Sequence, residues 1–348
     1  MTERFQALLD WLQSVPQIRE SDFSMPTPAS SDASFRRYFR IENQNAHAEP
    51  ASFIIMDAPV EHEDCRPFIK ISSQLDQIGL NVPRVLAQDL EQGFLLLSDL
   101  GNQTYLSVLQ DRDEELADRL YRQALASLVQ MQVRGREYAS ELPSYDQTLL
   151  LNEMNLFSDW LLDEHLCSSM NKLERAAWKE TQSLLMNSAL QQPQTYVHRD
   201  YHSRNLMVSD SGQPGILDFQ DAVHGALSYD AVSLLRDCYI AWPQEQVEEW
   251  QRAYFLDLCQ HGLLSKDEWN GFRRAMDLMG IQRHLKASGI FARLFHRDGK
   301  NGYLDDIPQT VRYMVDVGRN YPEMADLVRF LEERVLPHEL LNQPANVA

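Results

Sequence analysis

A short stretch near the middle of the chain combines residue types that suit phosphoryl transfer. His198, Arg199 and Asp200 are followed by Asn205, which gives the pattern H-R-D-x-x-x-x-N, and Asp218 follows further along the chain. Phosphoryl transfer from ATP needs a base beside the attacking hydroxyl and oxygen ligands for a metal ion. The pattern therefore predicts Asp200 as the base, and Asn205 and Asp218 as Mg²⁺ ligands.

Predicted strands and turns flank this stretch in the order that the chemistry requires. Residues 195–197 are β-branched and aromatic, which predicts a strand that leads into the loop. Residues 206–208 and 215–217 predict two more strands, joined by a turn at 209–212. An ordinary loop in which Asp and Asn cap turns is the alternative. The complete pattern in this context favours catalysis.

Two neighbouring polar residues are candidates for supporting roles. His202 lies two residues after Asp200, and it would either contact the transferring phosphate or be a partly buried polar side chain. Asp230 follows Ser228 and Tyr229 at the predicted start of a helix. We interpret Asp230 as a helix N-cap rather than a catalytic group.

The composition indicates an acidic globular protein. The 348 residues include 32 basic and 51 acidic side chains, for a formal net charge of -19. Nucleic acids and anionic membranes bind basic surfaces, so we expect neither as a partner. No obligate protein partner is evident. The four cysteines are scattered, and the chain shows neither a signal peptide nor a membrane-spanning run, which predicts a cytoplasmic protein.

Hydrophobic patterns divide the chain into a β-rich part and a helical part. The first hundred residues predict an amphipathic helix around 5–12, a loop at 26–31, strands at 35–41, 52–56, 82–85 and 94–97, and a helix at 66–78. Beyond residue 105, helices dominate, most clearly at 114–133, 150–166 and 173–185. We predict an α+β, two-lobed, protein-kinase-like fold. Its small β-rich N-lobe (1–98) would bind the nucleotide, and its large helical C-lobe (99–348) would carry the catalytic loop, metal and substrate site.

Several motifs resemble those of one enzyme superfamily. Residues 198–206 (HRDYHSRNL) and 217–222 (LDFQDA) resemble the catalytic segments of the aminoglycoside phosphotransferase and choline kinase superfamily. Four further stretches are similar to bacterial anomeric kinases for N-acetylmuramate and N-acetylglucosamine: 31–38 (SDASFRRY), 56–59 (MDAP), 97–101 (LSDLG) and 297–300 (RDGK).

The resemblance implies a kinase that uses ATP and Mg²⁺. Its acceptor would be the anomeric hydroxyl of an N-acetylated amino sugar, and its product a sugar 1-phosphate used in cell-wall (peptidoglycan) recycling. The resemblance assigns Asp200 as the base, Asn205 and Asp218 as metal ligands, and the backbone from Leu97 to Asp99 as the adenine site.

The nucleotide side departs from the usual kinase pattern. A typical kinase carries a lysine on its third strand to pair with the ATP phosphates, but the predicted strand at 52–56 contains none, and the loop at 30–34 is not glycine-rich. Either nucleotide binding is impaired, or another cation supplies the charge: Arg36, Arg37, Arg40 or Lys70. We favour Arg36 and Arg37, because a guanidinium can hold a phosphate bidentately. A solvated strand edge is the alternative for both.

A basic stripe interrupts the general acidity. Four residues recur at helical spacing: Arg283, Lys286, Arg293 and Arg297. The lactyl carboxylate of N-acetylmuramate would suit such a face, so we predict Arg283, Lys286 and Arg293 as substrate residues. Ion pairing with acids elsewhere in the chain is the alternative. Candidates for an aromatic sugar platform are Trp160, Trp242 and Tyr303.

Two other functions stay open on the sequence. The same chemistry could serve another alcohol, such as an aminoglycoside, choline or another sugar, because a fold does not determine its acceptor. A catalytically silent nucleotide-binding regulatory protein would explain the missing lysine. It would not explain why Asp200, Asn205 and Asp218 are all present.

Overall fold

The chain folds into two compact units. Unit 1 comprises Met1–Gln103 and Leu206–Asp221, and unit 2 comprises Thr104–Asn205 and Ala222–Ala348. The computed structural model describes residues 2–19, 22–31, 35–45 and 50–341. Among those residues, every helix is too short or too polar to span a bilayer.

The described residues form the following elements. The strands are β1 (Thr27–Ser31), β2 (Arg37–Glu42), β3 (Ser52–Asp57), β4 (Val85–Asp89), β5 (Phe94–Ser98), β6 (Gln194–Val197), β7 (Leu206–Met207), β8 (Gly215–Ile216) and β9 (Val223–Ala226). The α-helices are α1 (Glu3–Ser14), α2 (Pro16–Arg19), α3 (Cys65–Gln77), α4 (Tyr105–Val108), α5 (Glu114–Arg134), α6 (Arg136–Ala139), α7 (Gln147–Leu156), α8 (Lys172–Leu190), α9 (Tyr229–Leu235), α10 (Gln244–Gln260), α11 (Trp269–Asp298), α12 (Ile307–Gly318) and α13 (Ala325–Phe330). Two π-helices span Phe157–His165 and Leu331–Val335, and short 3₁₀ turns span Lys266–Glu268, Asn301–Asp306, Pro322–Met324 and Glu339–Leu341.

Unit 1 is built on an antiparallel sheet with the strand order β1-β2-β3-β5-β4. Helix α1 covers this sheet, because Leu8, Trp11 and Leu12 recur on one helix face and pack against Phe53 and Phe94. The predicted loop at 26–31 is wrong, since Thr27–Ser31 forms β1 and pairs with β2. The strand lies at the sheet edge, where a proline is tolerated.

The β7–β8 hairpin, which precedes Asp218, belongs to unit 1. The amide of Ile216 donates to the Asn81 carbonyl at 2.8 Å. The ring of Phe219 lies 4.9 Å from that of Phe68 in α3. This grouping differs from the expected domain boundary, which assigned all of 99–348 to the second domain.

Helix α11 is the central element of unit 2, and it packs against α7, α8, α9, α12 and the first π-helix. The helix predicted at 150–166 is α-helical only to Leu156 and continues as a π-helix from Phe157 to His165. Gly289 of α11 abuts the backbone at this change, and a Cβ there would lie 2.2 Å from the Leu156 carbonyl carbon. The absence of a side chain at Gly289 therefore sets how closely α11 approaches α7.

Candidate active site

The catalytic loop leaves β6 of unit 2, and two polar contacts hold its start. Strand β6 pairs with β9, and the loop begins at His198. Arg199 has a φ of 78°, in the left-handed region, where any residue other than glycine is strained. Asp230 accepts hydrogen bonds from the amides of His198 and Arg199 at 2.7 and 3.0 Å. These bonds hold the strained backbone that presents Asp200.

Asp230 therefore anchors the loop, and our interpretation of it as an N-cap is wrong. Ser228 occupies the N-cap position of α9, and Asp230 lies in the first turn with 1% of its surface exposed. Burial raises the pKa of Asp230 to about 7, against the hydrogen bonds from His198 and Arg199, which lower it. The sequence indicated a polar residue at a helix start, but only the fold shows which backbone it bonds.

The end of the loop is held by a second buried carboxylate. Asp237 accepts hydrogen bonds from the Ser203 amide at 2.9 Å and from the Ser203 hydroxyl at 2.5 Å. The side-chain amide of Asn205 donates to the Asp200 carbonyl at 3.0 Å, which orients Asn205 relative to the base. Anchored at both ends, the loop is preorganised for positioning a reacting hydroxyl.

The predicted base, Asp200, is ionised by its surroundings. Burial raises the pKa of this carboxyl, but nearby cations, with Lys286 first and Arg283 among the others, lower it to about 2. An acceptor hydroxyl would therefore meet a carboxylate that can take its proton. The predicted substrate residues Arg283 and Lys286 thus lie close enough to Asp200 to set its charge.

Glu153 of α7 is a buried partner that the sequence analysis missed. Only 4% of its surface is exposed. It forms ion pairs with Arg199 at 2.6 Å and with Lys286 at 3.2 Å, and it accepts a hydrogen bond from Tyr145. Burial raises its pKa, but the charges of Lys286 and Arg199 lower it below the ordinary value. The one signal in the sequence was an acid within a largely apolar helical segment at 149–157.

The stripe residues have different surroundings. Lys286 pairs with Glu153 and also donates to the Tyr229 hydroxyl at 3.0 Å. Arg283 is buried, its Nε has no partner among the described residues, and its Nη1 donates to the Cys238 sulfur at 3.7 Å. Arg293 is half-buried; burial lowers its pKa, and the charges that act on it are those of Arg297 and Asp298. Two of the three predicted substrate residues are therefore brought to the loop.

His202 is buried beside Asp200 with 8% of its surface exposed. Burial lowers its pKa, although the charge of Asp237 opposes this shift. Its Nδ1 has no hydrogen-bond partner among the described residues. A buried polar atom without a partner is costly, and a substrate oxygen would satisfy it.

The predicted phosphate-binding arginines of unit 1 are each held by a carboxylate. Arg36 pairs with Glu63 at 2.9 Å, and Arg37 pairs with Asp57, which is fully buried at the end of β3. Residues 32–34 of the predicted nucleotide loop lie outside the described residues. Where a typical kinase strand carries a lysine, this chain therefore has an acid that orients an arginine.

The predicted adenine segment lies on β5 of the same sheet. Leu97 is buried with 2% of its surface exposed. Asp99 accepts hydrogen bonds from Arg40 at 2.6 Å, from Ser52 at 2.8 Å and from the Gly101 amide at 2.9 Å. The side chain of Asp99 therefore fixes the backbone after β5.

The predicted metal ligands offer the right kind of atoms. Asp218 of unit 1 has a φ of 60°, and its carboxylate accepts a hydrogen bond from Gln220 at 2.8 Å. Mg²⁺ prefers hard oxygen ligands and usually takes only one or two from protein side chains, with phosphates and water as the others. The carboxylate of Asp218 and the amide of Asn205 fit that preference. Among the residues the structure describes, no cluster of three or more His, Cys, Asp or Glu side chains could hold a metal.

Comparisons with known proteins identify the family of the chain. The phosphotransferase enzyme family matches residues 26–269. An N-acetylmuramate/N-acetylglucosamine kinase of Pseudomonas aeruginosa is 46% identical over 94% of this chain and 96% of its own length. The Pseudomonas putida protein of the same name is 45% identical over 88% of this chain and 87% of its own length. The ADP-bound aminoglycoside phosphotransferase APH(2'')-Ib has a similar fold, with a TM-score of 0.57 at 12% identity over 91% of this chain and 99% of that one.

Proposed function

Because the chain belongs to the phosphotransferase enzyme family, we propose that it is an ATP-dependent kinase of N-acetylmuramate and N-acetylglucosamine. The observation that carries the proposal is the anchored catalytic loop with its ionised Asp200. The relatives that carry this name extend over nearly the whole chain, so they support the acceptor as well as the chemistry. The expected two-lobed, protein-kinase-like fold is confirmed.

Asp200 would accept the proton of the acceptor hydroxyl as the phosphoryl group arrives. The carboxylate is ionised because Lys286 and Arg283 lie nearby, and it is oriented because Asp230 and Asp237 hold the loop. In phosphoryl transfer, positioning and electrostatic stabilisation supply most of the catalysis. The contacts around the loop supply both.

Asn205 and Asp218 would hold Mg²⁺ through their side-chain oxygens. When bound there, Mg²⁺ would supply positive charge that offsets the negative charge of the transferring group. The hydrogen bonds that Asn205 gives to Asp200, and that Asp218 receives from Gln220, orient these two side chains.

Residues of unit 1 would bind the nucleotide. The backbone from Leu97 to Asp99 would receive the adenine, and Arg36 and Arg37 would bind the phosphates. Glu63 and Asp57 orient these guanidinium groups, as a carboxylate orients the lysine of a typical kinase. His202, with its buried Nδ1, would contact the transferring phosphate from unit 2.

On the substrate side, Arg283, Lys286 and Arg293 would provide positive charge for the sugar. The acceptor atom would be the anomeric hydroxyl, which gives a sugar 1-phosphate suited to reuse of cell-wall sugars. Arg283 is the strongest of the three candidates, because it is buried beside the loop with an unpartnered Nε.

A coupled ADP-release assay with ATP and Mg²⁺ tests the proposal. Acceptors would be N-acetylmuramate, N-acetylglucosamine, glucose, choline and kanamycin, and the Asp200→Ala variant is the control. We expect ADP release only with the N-acetylated sugars and a loss of at least about a thousandfold in Asp200→Ala. A product that no longer reduces copper would identify the anomeric hydroxyl. Turnover with choline or kanamycin alone would identify a different acceptor for the same chemistry. No turnover at all would indicate a silent nucleotide binder.

A further inference from the structure

One arginine of the catalytic loop lies between two tyrosine rings. The guanidinium carbon of Arg204 is 3.8 Å from the ring centroid of Tyr239 and 5.2 Å from that of Tyr303. Phe291 of α11 is buried and stacks on Tyr303 at 5.7 Å, which fixes the second ring. Stacking of this kind restrains a guanidinium but leaves the N–H groups at its edge available.

One carboxylate holds both the residue that precedes the arginine and the backbone of one of its two tyrosines. Asp237 accepts a hydrogen bond from Ser203, the residue before Arg204, and another from the Tyr239 amide at 3.0 Å. The guanidinium is therefore preorganised relative to Asp200, which lies four residues earlier in the same loop.

The donors of Arg204 have no partner in the part of the chain that is described. There the side chain is half-buried, donates no hydrogen bond and forms no ion pair. Asp306 is close enough for its charge to interact with Arg204, but the two form no ion pair. A half-buried guanidinium with open donors, four residues after the predicted base in the same loop, is suited to an anionic group on the substrate.

The two acceptor sugars of the proposed function differ in one charge. N-acetylmuramate carries a lactyl carboxylate, and N-acetylglucosamine carries a neutral hydroxyl in its place. A fully buried cation would lose its counter-charge whenever the neutral sugar bound, which is costly. Arg283 is buried, and Lys286 is already paired with Glu153. Arg204 keeps access to water, so it can serve either sugar.

We propose that Arg204 binds the carboxylate of the acidic acceptor sugar, and that Tyr239 and Tyr303 hold it in place. The inference rests on the proposed function, because it assumes that the acceptor is an amino sugar. It assigns the discrimination between acidic and neutral acceptors to Arg204. Arg283 and Lys286 would then serve features that both sugars share.

The test centres on two acceptors that differ in charge but not in size, N-acetylmuramate and its carboxamide. The kcat/KM is measured for N-acetylmuramate, for its carboxamide and for N-acetylglucosamine, in the wild-type chain, Arg204→Gln and Arg204→Lys. The control is Arg329→Gln, which removes the same charge from an exposed side chain paired with Asp326. We expect the ratio of acid to carboxamide to fall about tenfold to hundredfold in Arg204→Gln, mainly through the KM of the acid. Arg204→Lys should fall between Arg204→Gln and the wild type, and Arg329→Gln should keep the wild-type ratio.

Two results would overturn the assignment in an active enzyme. One is an unchanged acid-to-carboxamide ratio in Arg204→Gln. The other is an equal loss on all three acceptors with a raised KM for ATP, which would place Arg204 on a nucleotide phosphate. A wild-type chain that phosphorylates no amino sugar would refute the proposed function itself, and this inference with it.

Discussion

An alanine at position 289 is expected to separate two helices that support the catalytic loop. Gly289 lies in α11, where this helix passes the end of α7. A Cβ at this position would lie 2.2 and 2.3 Å from the carbonyl carbon and oxygen of Leu156, and 2.6 Å from the Phe157 amide nitrogen. These atoms belong to the backbone, so no change of rotamer can relieve the clash. In the Gly289→Ala variant the helices must therefore move apart.

The size of the effect follows from two opposing contributions. Overpacking of a filled interior costs about 1–3 kcal/mol, and the upper end applies because the clash is with backbone. Alanine in place of glycine within a helix returns about 0.5–1 kcal/mol. We expect a net loss of about 2 kcal/mol in the free energy of unfolding. For a unit of this size, that loss lowers Tm by about 4–8 °C.

Gly271 provides a matched control on the same helix. Nothing lies within 4 Å of a Cβ built at Gly271, and the residue is exposed. Gly271→Ala should therefore raise the free energy of unfolding by about 0.5–1 kcal/mol, from helix propensity alone. Thermal and urea unfolding of both variants measure the contrast. A Gly289→Ala chain as stable as Gly271→Ala would refute the close backbone packing.

The same substitution should affect catalysis. Lys286 of α11 reaches Glu153 of α7 across the contact that Gly289 permits, at 3.2 Å. Restoring an ordinary contact distance from 2.2 Å moves the two helices apart, which weakens that pair and changes the charge around Asp200. We expect kcat/KM in the ADP-release assay to fall in Gly289→Ala and to stay at the wild-type value in Gly271→Ala.

Three further predictions concern charge. Burial raises the pKa of Asp200, and the charge of Lys286 lowers it to about 2. Lys286→Met should therefore move the acid limb of kcat/KM to higher pH. An unmoved limb would show that Lys286 does not act on Asp200. Burial, with a contribution from the charge of His296, lowers the pKa of His165 to about 4. The neutral imidazole therefore gives the folded state its full stabilisation above the ordinary pKa of 6.5, and this contribution is lost as pH falls through 4. The urea midpoint of His165→Gln should therefore change less between pH 7 and 4 than that of the wild-type chain. An equal change in both chains would contradict this. Arg36→Ala should raise the KM for ATP severalfold without changing the KM for the sugar. Unchanged ATP kinetics would show that Arg36 does not bind the ATP phosphates.

Most helices and strands could be predicted from local patterns. The strand predicted at 82–85 begins only at Val85. Two other exceptions have a common cause. The apolar spacing at 114–133 predicted α5 to within a residue. The segment 27–31 contains a proline and small polar residues, and it is a strand only because β2 offers it hydrogen-bond partners. The change to a π-helix at Phe157 has no local signal, and it coincides with the approach of Gly289 from far along the chain.

For the candidate site, residue types were predictable and partners were not. The spacing of Asp200, Asn205 and Asp218 predicted the chemistry, and their roles stay predictions until turnover is measured. Glu153 and Asp237 were not predicted, because a buried acid is recognised by the groups around it and not by its neighbours in the chain.

The sequence by itself determined the reaction class, because phosphoryl transfer requires a few residue types at short spacing within one loop. It also determined the family, through motifs spread over most of the chain. Only the tertiary structure decided which charges act together. Lys286 and Glu153 are far apart in sequence, yet they meet because α11 and α7 pack through a glycine. The partners of a buried charge are set by packing between elements, and this information is not contained in any local pattern.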